Sequence, residues 1–513
     1  MKSLKWFLRD YLDRKALAGG YSWNTRKVAS YVELATYMLT LLPIITYIIT
    51  RSLVLSLIMV AVPLMPMLIT MVWAAYSVDS VRDNVDWELP FFIVLLDLVH
   101  DIGGDITHAF EISARVGLRW MGREWTIVNR YAMTTNSITK ALQLRARIHP
   151  SLEFQRFVNG YVSVWGYSGD VTSYVRSVEN MYLSSLSSRL SSLSKQIIDV
   201  VLAVVSSIVV MVLFIIITTI LGMNYAALYL IPAMALLIPA LILRVRLSIP
   251  YIIRMDIKHD RNIYLITAVS AILSLFAVIY LGAKGVIFLA LPPLVFSLLV
   301  SRRINDIRNS ILSLPDLIRD ISEIVKAGIG VNAALERVLD NPYPEPLITY
   351  LRKITQINDS RVDGPWLIKY AMNVLKEISS LGSPSKALDK LAEVFLNLKA
   401  LLIGINYSAR SLQVLNFSLP FIFAGMVYIS RFVVSALGSV IKNAPYTLVG
   451  LVMPSMNILL LPLIITAYIV SMSVAILSSL LSNLTLSPTV RLMVPIPLTL
   501  ALMLMAMEIP VPA

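Results

Sequence analysis

The chain has 513 residues, 57% of them hydrophobic and only 15% charged, and a mean hydropathy of +0.75. This excludes an ordinary soluble protein of that length, and the long charge-free runs specify membrane helices rather than the alternating strands of a barrel. With no cysteine, disulfides, thiolate metal sites and cysteine nucleophiles are excluded, and the formal charge of +13 reports first on orientation in the bilayer.

In residues 1–30, Leu4, Phe7, Leu8, Tyr11 and Leu12 recur at helical spacing between Lys5, Arg9 and Asp13. These 30 residues hold seven Lys and Arg and no apolar h-region, so no cleavable signal peptide is expected, and the segment is expected to be a basic amphipathic helix on the membrane surface, on a partner or packed on a neighbouring helix. Residues 31–78 hold two expected crossings, in the runs Leu34 to Thr50 and Ser52 to Val78. Residues 79–195 form a first polar segment, of domain size. Crossings three and four occupy 196–243, broken at Gly222-Met223-Asn224, and 244–262 is a basic loop. Crossings five and six occupy 263–301, and 302–410 is a second polar segment of domain size. Three further crossings are expected within 411–513, in Ser411 to Ser430, Tyr446 to Leu480 and Leu492 to Met507. The expected fold class is all-α: a polytopic membrane protein with about nine crossings and two cytoplasmic helical bundles. With this topology 40 of the 44 Lys and Arg lie on one side. The N-terminus and both bundles are then cytoplasmic and the C-terminus outside the cell membrane.

An internal repeat accompanies this layout. Leu89-Pro90 precedes Gly103 by the same distance as Leu314-Pro315 precedes Gly328, an offset of 225 residues. At that offset Ile106 meets Val331, Ala109 meets Ala334, Phe110 meets Leu335 and Glu111 meets Glu336. Adding it to the first four crossings gives the next four, which implies a tandem duplication of parallel halves. Each Pro is placed where a helix begins and each Gly where one ends. In the second copy Leu317, Ile318, Ile321, Ile324 and Val325 form one apolar stripe, with Arg319, Asp320, Glu323 and Lys326 around it.

The paired segments Leu89 to Ala114 (LPFFIVLLDLVHDIGGDITHAFEISA) and Leu314 to Leu339 (LPDLIRDISEIVKAGIGVNAALERVL) resemble the type II secretion system F-domain. The second has the typical form; the first departs from it at Gly103-Gly104-Asp105, His100, Asp101 and His108. This is the family of platform proteins of type II secretion, type IV pili and the archaellum, and the duplicated layout most resembles its archaeal branch. The resemblance gives Leu89, Pro90, Gly103, Glu111, Leu314, Pro315, Gly328 and Glu336 a structural role. It implies a non-enzymatic platform without cofactors. Its partners would be a hexameric cytoplasmic secretion ATPase, pilin-like subunits in the membrane and a second copy of the chain, with no nucleic acid.

No Gly-rich loop ending in Gly-Lys-Ser/Thr occurs, so the motor is expected to be a separate protein. The basic residues Arg115, Arg119 and Arg123, at i, i+4 and i+8, read as one helix stripe that either docks that ATPase or is solvated. Arg302, Arg303 and Arg308 follow a crossing, where contact with anionic lipid headgroups is the stronger reading and ATPase docking the alternative. His100, Asp101, Asp105, His108 and Glu111 have spacings that suit a metal, but the Gly103-Gly104 turn interrupts them and solvated charge is favoured. The same turn lacks the Gly-x-Gly-Asp order of membrane aspartyl proteases. Glu33, Asp199, Arg431 and Glu508 lie near span ends, where snorkelling suffices. A secondary transporter with duplicated halves is the alternative function, disfavoured by the size of both polar segments and by the lack of charge at the membrane midplane.

Overall fold

A computed structural model describes residues 4–51, 59, 62–167, 170–220, 237–255, 257, 259–353, 355, 364–380, 385–442 and 456–510, and among these all regular structure is helical. Two compact units are present, one reaching Leu186 and the other built from Ser187–Ser379 and Ser385–Ala513.

The first unit contains α1 (Leu4–Gly19), α2 (Thr25–Leu39), α3 (Leu42–Thr50), α4 (Met65–Asp101), α5 (Ile106–Val116), α6 (Arg119–Thr135), α7 (Ile138–Ile148), α8 (Leu152–Tyr167) and the first turns of α9 (Val171–Ile220). The apolar face of α1 is buried against protein: Leu8 and Leu12 pack with Ala29 of α2 and Ala74 of α4. The Tyr11 and Tyr21 hydroxyls donate to the carbonyls of Met71 and Ser77, at 3.4 and 3.3 Å. Of the sequence readings of this segment, the packing helix is the one found. It ends in a Schellman turn, in which Tyr21 N–H donates to the Ala16 carbonyl at 2.8 Å and Gly20 N–H to that of Leu17 at 3.2 Å.

α4 corrects one expectation. Leu89-Pro90 does not start a helix here, because α4 passes through Pro90 without a break. Proline forfeits the N–H that would reach the carbonyl four residues back, a cost of roughly 3 kcal/mol. Burial on both sides of it, at Val81, Val85, Leu89 and Phe91 through Leu96, holds the helix across the missing bond. The second copy behaves as expected: α12 (Leu291–Leu312) ends before Ser313, and α13 (Leu314–Lys326) starts with Pro315 in its first turn. Leu317, Ile318, Ile321 and Val325 are buried, while Arg319, Glu323 and Lys326 are exposed.

After α4 and α13 the chain makes the same turn. Gly103 (φ +83°) and Gly328 (φ +90°) are both left-handed. Gly104 N–H reaches the Val99 carbonyl at 2.9 Å, and Ile329 N–H reaches that of Ile324 at 3.4 Å. A Cβ at either glycine meets open space, so the constraint lies in the backbone alone. Gly328→Val is therefore expected to cost about 1–2 kcal/mol in the second unit, whereas Gly328→Asn costs less, because Asn tolerates this region. Thermal melts of the purified variants in detergent check the order.

The second unit adds α10 (Leu237–Ser248), α11 (Arg261–Leu281), α14 (Val331–Val338), α15 (Glu345–Arg352), α16 (Trp366–Ser380), α17 (Ser385–Ser408), α18 (Arg410–Lys442), α19 (Met456–Ser482), α20 (Val490–Met493) and α21 (Pro495–Glu508). Among the described residues, seven helical stretches are long and apolar enough to cross a membrane, the last three being Ser385–Ala436, Pro462–Ser482 and Val490–Glu508. The first expected crossing is divided into α2 and α3, with Pro43 in the first turn of α3. The fourth lies mostly outside the described residues, as does the start of the eighth. Arg431 does more than snorkel: its Nη1 donates to the carbonyls of Ala506 and Ile509, at 2.8 and 2.7 Å, and closes the C-terminus of α21.

Candidate coupling site and basic groove

The second half of α4 is the axis of the first bundle. Phe92 packs on Phe110 of α5 with ring centroids 4.4 Å apart and planes tilted by 37°, and meets Phe157 of α8 edge-on at 6.2 Å. One turn earlier, the fully buried Glu88 accepts hydrogen bonds from the Trp120 and Met121 N–H groups, the shortest being 2.8 Å. Its oxygens satisfy amides at the start of α6 that have no partner within the helix, and burial pushes the carboxyl up to about 8 against the opposing pull of those amides.

A second buried ionic group joins α6, α7 and α1. Arg145 and Glu124, both wholly inaccessible, form a two-pronged pair with Nε to Oε2 at 2.6 Å and Nη2 to Oε1 at 3.0 Å. Arg145 Nη1 also donates to the Leu17 and Ala18 carbonyls, at 3.2 and 3.0 Å. Arg123 Nη2 takes those of Gly19 and Gly20, at 2.8 and 3.1 Å, with its guanidinium over the Tyr21 ring. Two arginines thus close the negative end of α1. His149 Nε2 lies 3.5 Å from Glu124, while its Nδ1 accepts from Ser151 N–H. Burial alone would push the Glu124 carboxyl up, but the His149 and Arg145 contacts outweigh it and hold it at about 2.

Each of the two motif helices grips a helix leading to an apolar stretch. In the first bundle Arg176 of α9 lies 2.7 Å from Asp101 and 3.8 Å from the fully buried Asp97. In the second, Asp389 of α17 is 2.6 Å from Lys326 and accepts from the Ser322 hydroxyl at 2.6 Å. Adding 225 to 97 and 101 gives 322 and 326, so the same two motif positions make both clasps, with the charges reversed. Lys399 and Asp316, 3.0 Å apart, add a second contact between α13 and α17.

The arginines read as one stripe are separated by the α5–α6 turn at Gly117-Leu118: Arg115 lies on α5, Arg119 and Arg123 on α6. Arg119 and Arg123, together with Arg130, line a groove of about 710 Å³ beside Gly20 and Tyr21. Arg302 and Arg303 are exposed on α12, the latter 3.7 Å from Asp260, and Arg308 is half-buried. Of the motif residues, Leu89, Pro90, Leu314 and Pro315 are buried, whereas Glu111 and Glu336 face outward. Asp105 caps α5 by accepting from His108 N–H at 3.0 Å, and His100 lies 3.4 Å from the Tyr161 hydroxyl. Among the described residues, no three His, Asp or Glu side chains converge to hold a metal.

These features define an all-helical membrane protein whose apolar helices continue into a helical bundle. Residues 92–219 match the family model for type II secretion system (T2SS), protein F, and the chain carries a domain of that family. The matched stretch begins two residues after Pro90 and ends one residue before the end of α9, so it covers the first of the two motif segments from Phe92 onward. No curated protein and no solved structure matches the chain.

Proposed function

We propose that this chain is the non-enzymatic membrane platform of a type IV pilus-like or archaellum-like filament machine, or of a related secretion system. On this reading both polar segments are cytoplasmic, a hexameric secretion ATPase engages them, and pilin-like subunits meet the membrane helices. The observation that carries the reading is α9, a single helix of 50 residues that starts in the family-matched bundle and ends in an apolar stretch. At about 1.5 Å per residue it is roughly 75 Å long, well beyond what a membrane crossing alone needs. The matching turns at Gly103 and Gly328, and the two clasps at equivalent positions, support a duplicated architecture, in which the second path toward the membrane is divided at Ala409 between α17 and α18.

Co-purification in mild detergent with the secretion ATPase encoded beside this chain is the test. A stable complex is expected, together with loss of filaments when the chain is deleted. Absence of any ATPase or pilin neighbour, combined with solute movement by the reconstituted chain, overturns the platform reading.

A further inference from the structure

The groove beside the C-terminus of α1 is strongly one-signed. Arg119, Arg123 and Arg130 line it, no Asp or Glu is among its described lining residues, and Tyr21 and Tyr131 supply aromatic surface. The three arginines occupy positions i, i+4 and i+11 of α6. At 100° and 1.5 Å per residue they fall within about 40° of arc and along about 16 Å of helix. This row is too long for one phosphate group, which meets one or two guanidinium groups, but it matches a helix that carries carboxylates at i, i+4 and i+11 along one face. The groove is also built, because Arg123 is fixed by the Gly19 and Gly20 carbonyls and by the Tyr21 ring. Residues of α1 and the turn after it form one wall, so the site exists only with α1 docked.

We propose that this groove receives an acidic helical segment of a protein partner, which, if the platform reading holds, belongs to the cytoplasmic motor. The probe is a fluorescein-labelled helical peptide with Glu at i, i+4 and i+11, measured by anisotropy against the full chain in detergent, with a Lys peptide as control. Binding of the Glu peptide alone is expected. Arg119→Glu with Arg130→Glu should weaken it roughly tenfold or more at an unchanged melting temperature. Arg123 is left intact because it holds α1. A variant lacking residues 1–20 should lose binding while α6 remains folded by circular dichroism. Equal binding by wild type and double variant overturns the proposal, as does no binding by the wild type. Displacement of the peptide by glycerol phosphate or phosphatidylglycerol vesicles as effectively as by unlabelled peptide also overturns it, in favour of a phosphate site. Co-purification of the ATPase is read separately: retention by the double variant removes the motor as occupant, while failure with the wild type counts against the platform reading and leaves the peptide result to decide the groove.

Discussion

Arg145→Met is expected to destabilise the first unit by roughly 3–5 kcal/mol, because it strands the buried Glu124 carboxylate and removes a donor from the Leu17 and Ala18 carbonyls. Glu124→Met should cost a similar amount by stranding the guanidinium. The double variant Glu124→Met with Arg145→Met separates the two functions of the group. Replacing both ions by apolar side chains removes the buried charge, so the bundle should regain most of its stability. The α1 carbonyls still lack their donor, so α1 should stay loosened, with faster proteolysis at Gly19–Ser22 than in the wild type. A double variant as resistant there as the wild type would falsify the assignment of Arg145 as the clamp on α1. The same group sets an acid limit. The Glu124 carboxyl is held at about 2, below its unfolded value, so its contribution is fully present above that unfolded value, near 4.5. It is lost as pH falls from there through about 2, and amounts to on the order of 3 kcal/mol. Acid melts of the wild type should show this loss, and the double variant should not.

How far the sequence reaches is visible in particular residues. The paired Gly103 and Gly328 turns are legible because a left-handed helix end is a local requirement that glycine alone meets cheaply. The apolar stripe of α13 is legible because burial repeats with the helix period. Pro90 is misleading for the complementary reason: the rule that puts proline in a first turn is local, whereas α4 is held together there by packing on both sides. Arg115, Arg119 and Arg123 look like a stripe only if the helix is carried through Gly117, and that glycine was the available warning. Glu124 and Arg145 carry no such signal. They stand 21 positions apart on different helices, and nothing in the spacing of either marks it as buried. The amphipathic pattern of α1 identifies a helix but not what covers it, since lipid and protein ask for the same face.

On the proposed platform function the clasps would transfer force, and Arg176→Glu is the substitution with the largest expected effect on them. It places a third carboxylate beside Asp101 and the fully buried Asp97, where charges are weakly screened. A loss of roughly 2–4 kcal/mol is expected, smaller than for a wholly buried pair because Arg176 itself is half exposed. The start of α9 should part from α4; on the proposed platform function, filament assembly should then collapse while the chain remains in the membrane and still binds its motor. The second clasp gives the control. Lys326 and Asp389 are both nearly half exposed, so Lys326→Asp alone should cost at most about 1 kcal/mol. Lys326→Asp with Asp389→Lys should restore it, since the reversed polarity is the one that the first bundle uses at the equivalent positions. Reversed polarity in the two clasps also disfavours exchange of motif helices between bundles: Asp101 would meet Asp389, and Lys326 would meet Arg176. The combined swap makes both clasps alike and removes that discrimination. Disulfide trapping between cysteines placed beside positions 101 and 389, so that the clasp charges stay in place, should fail with the natural polarity and then become detectable. Trapping at equal yield in the wild type would show that the polarity does not select the pairing.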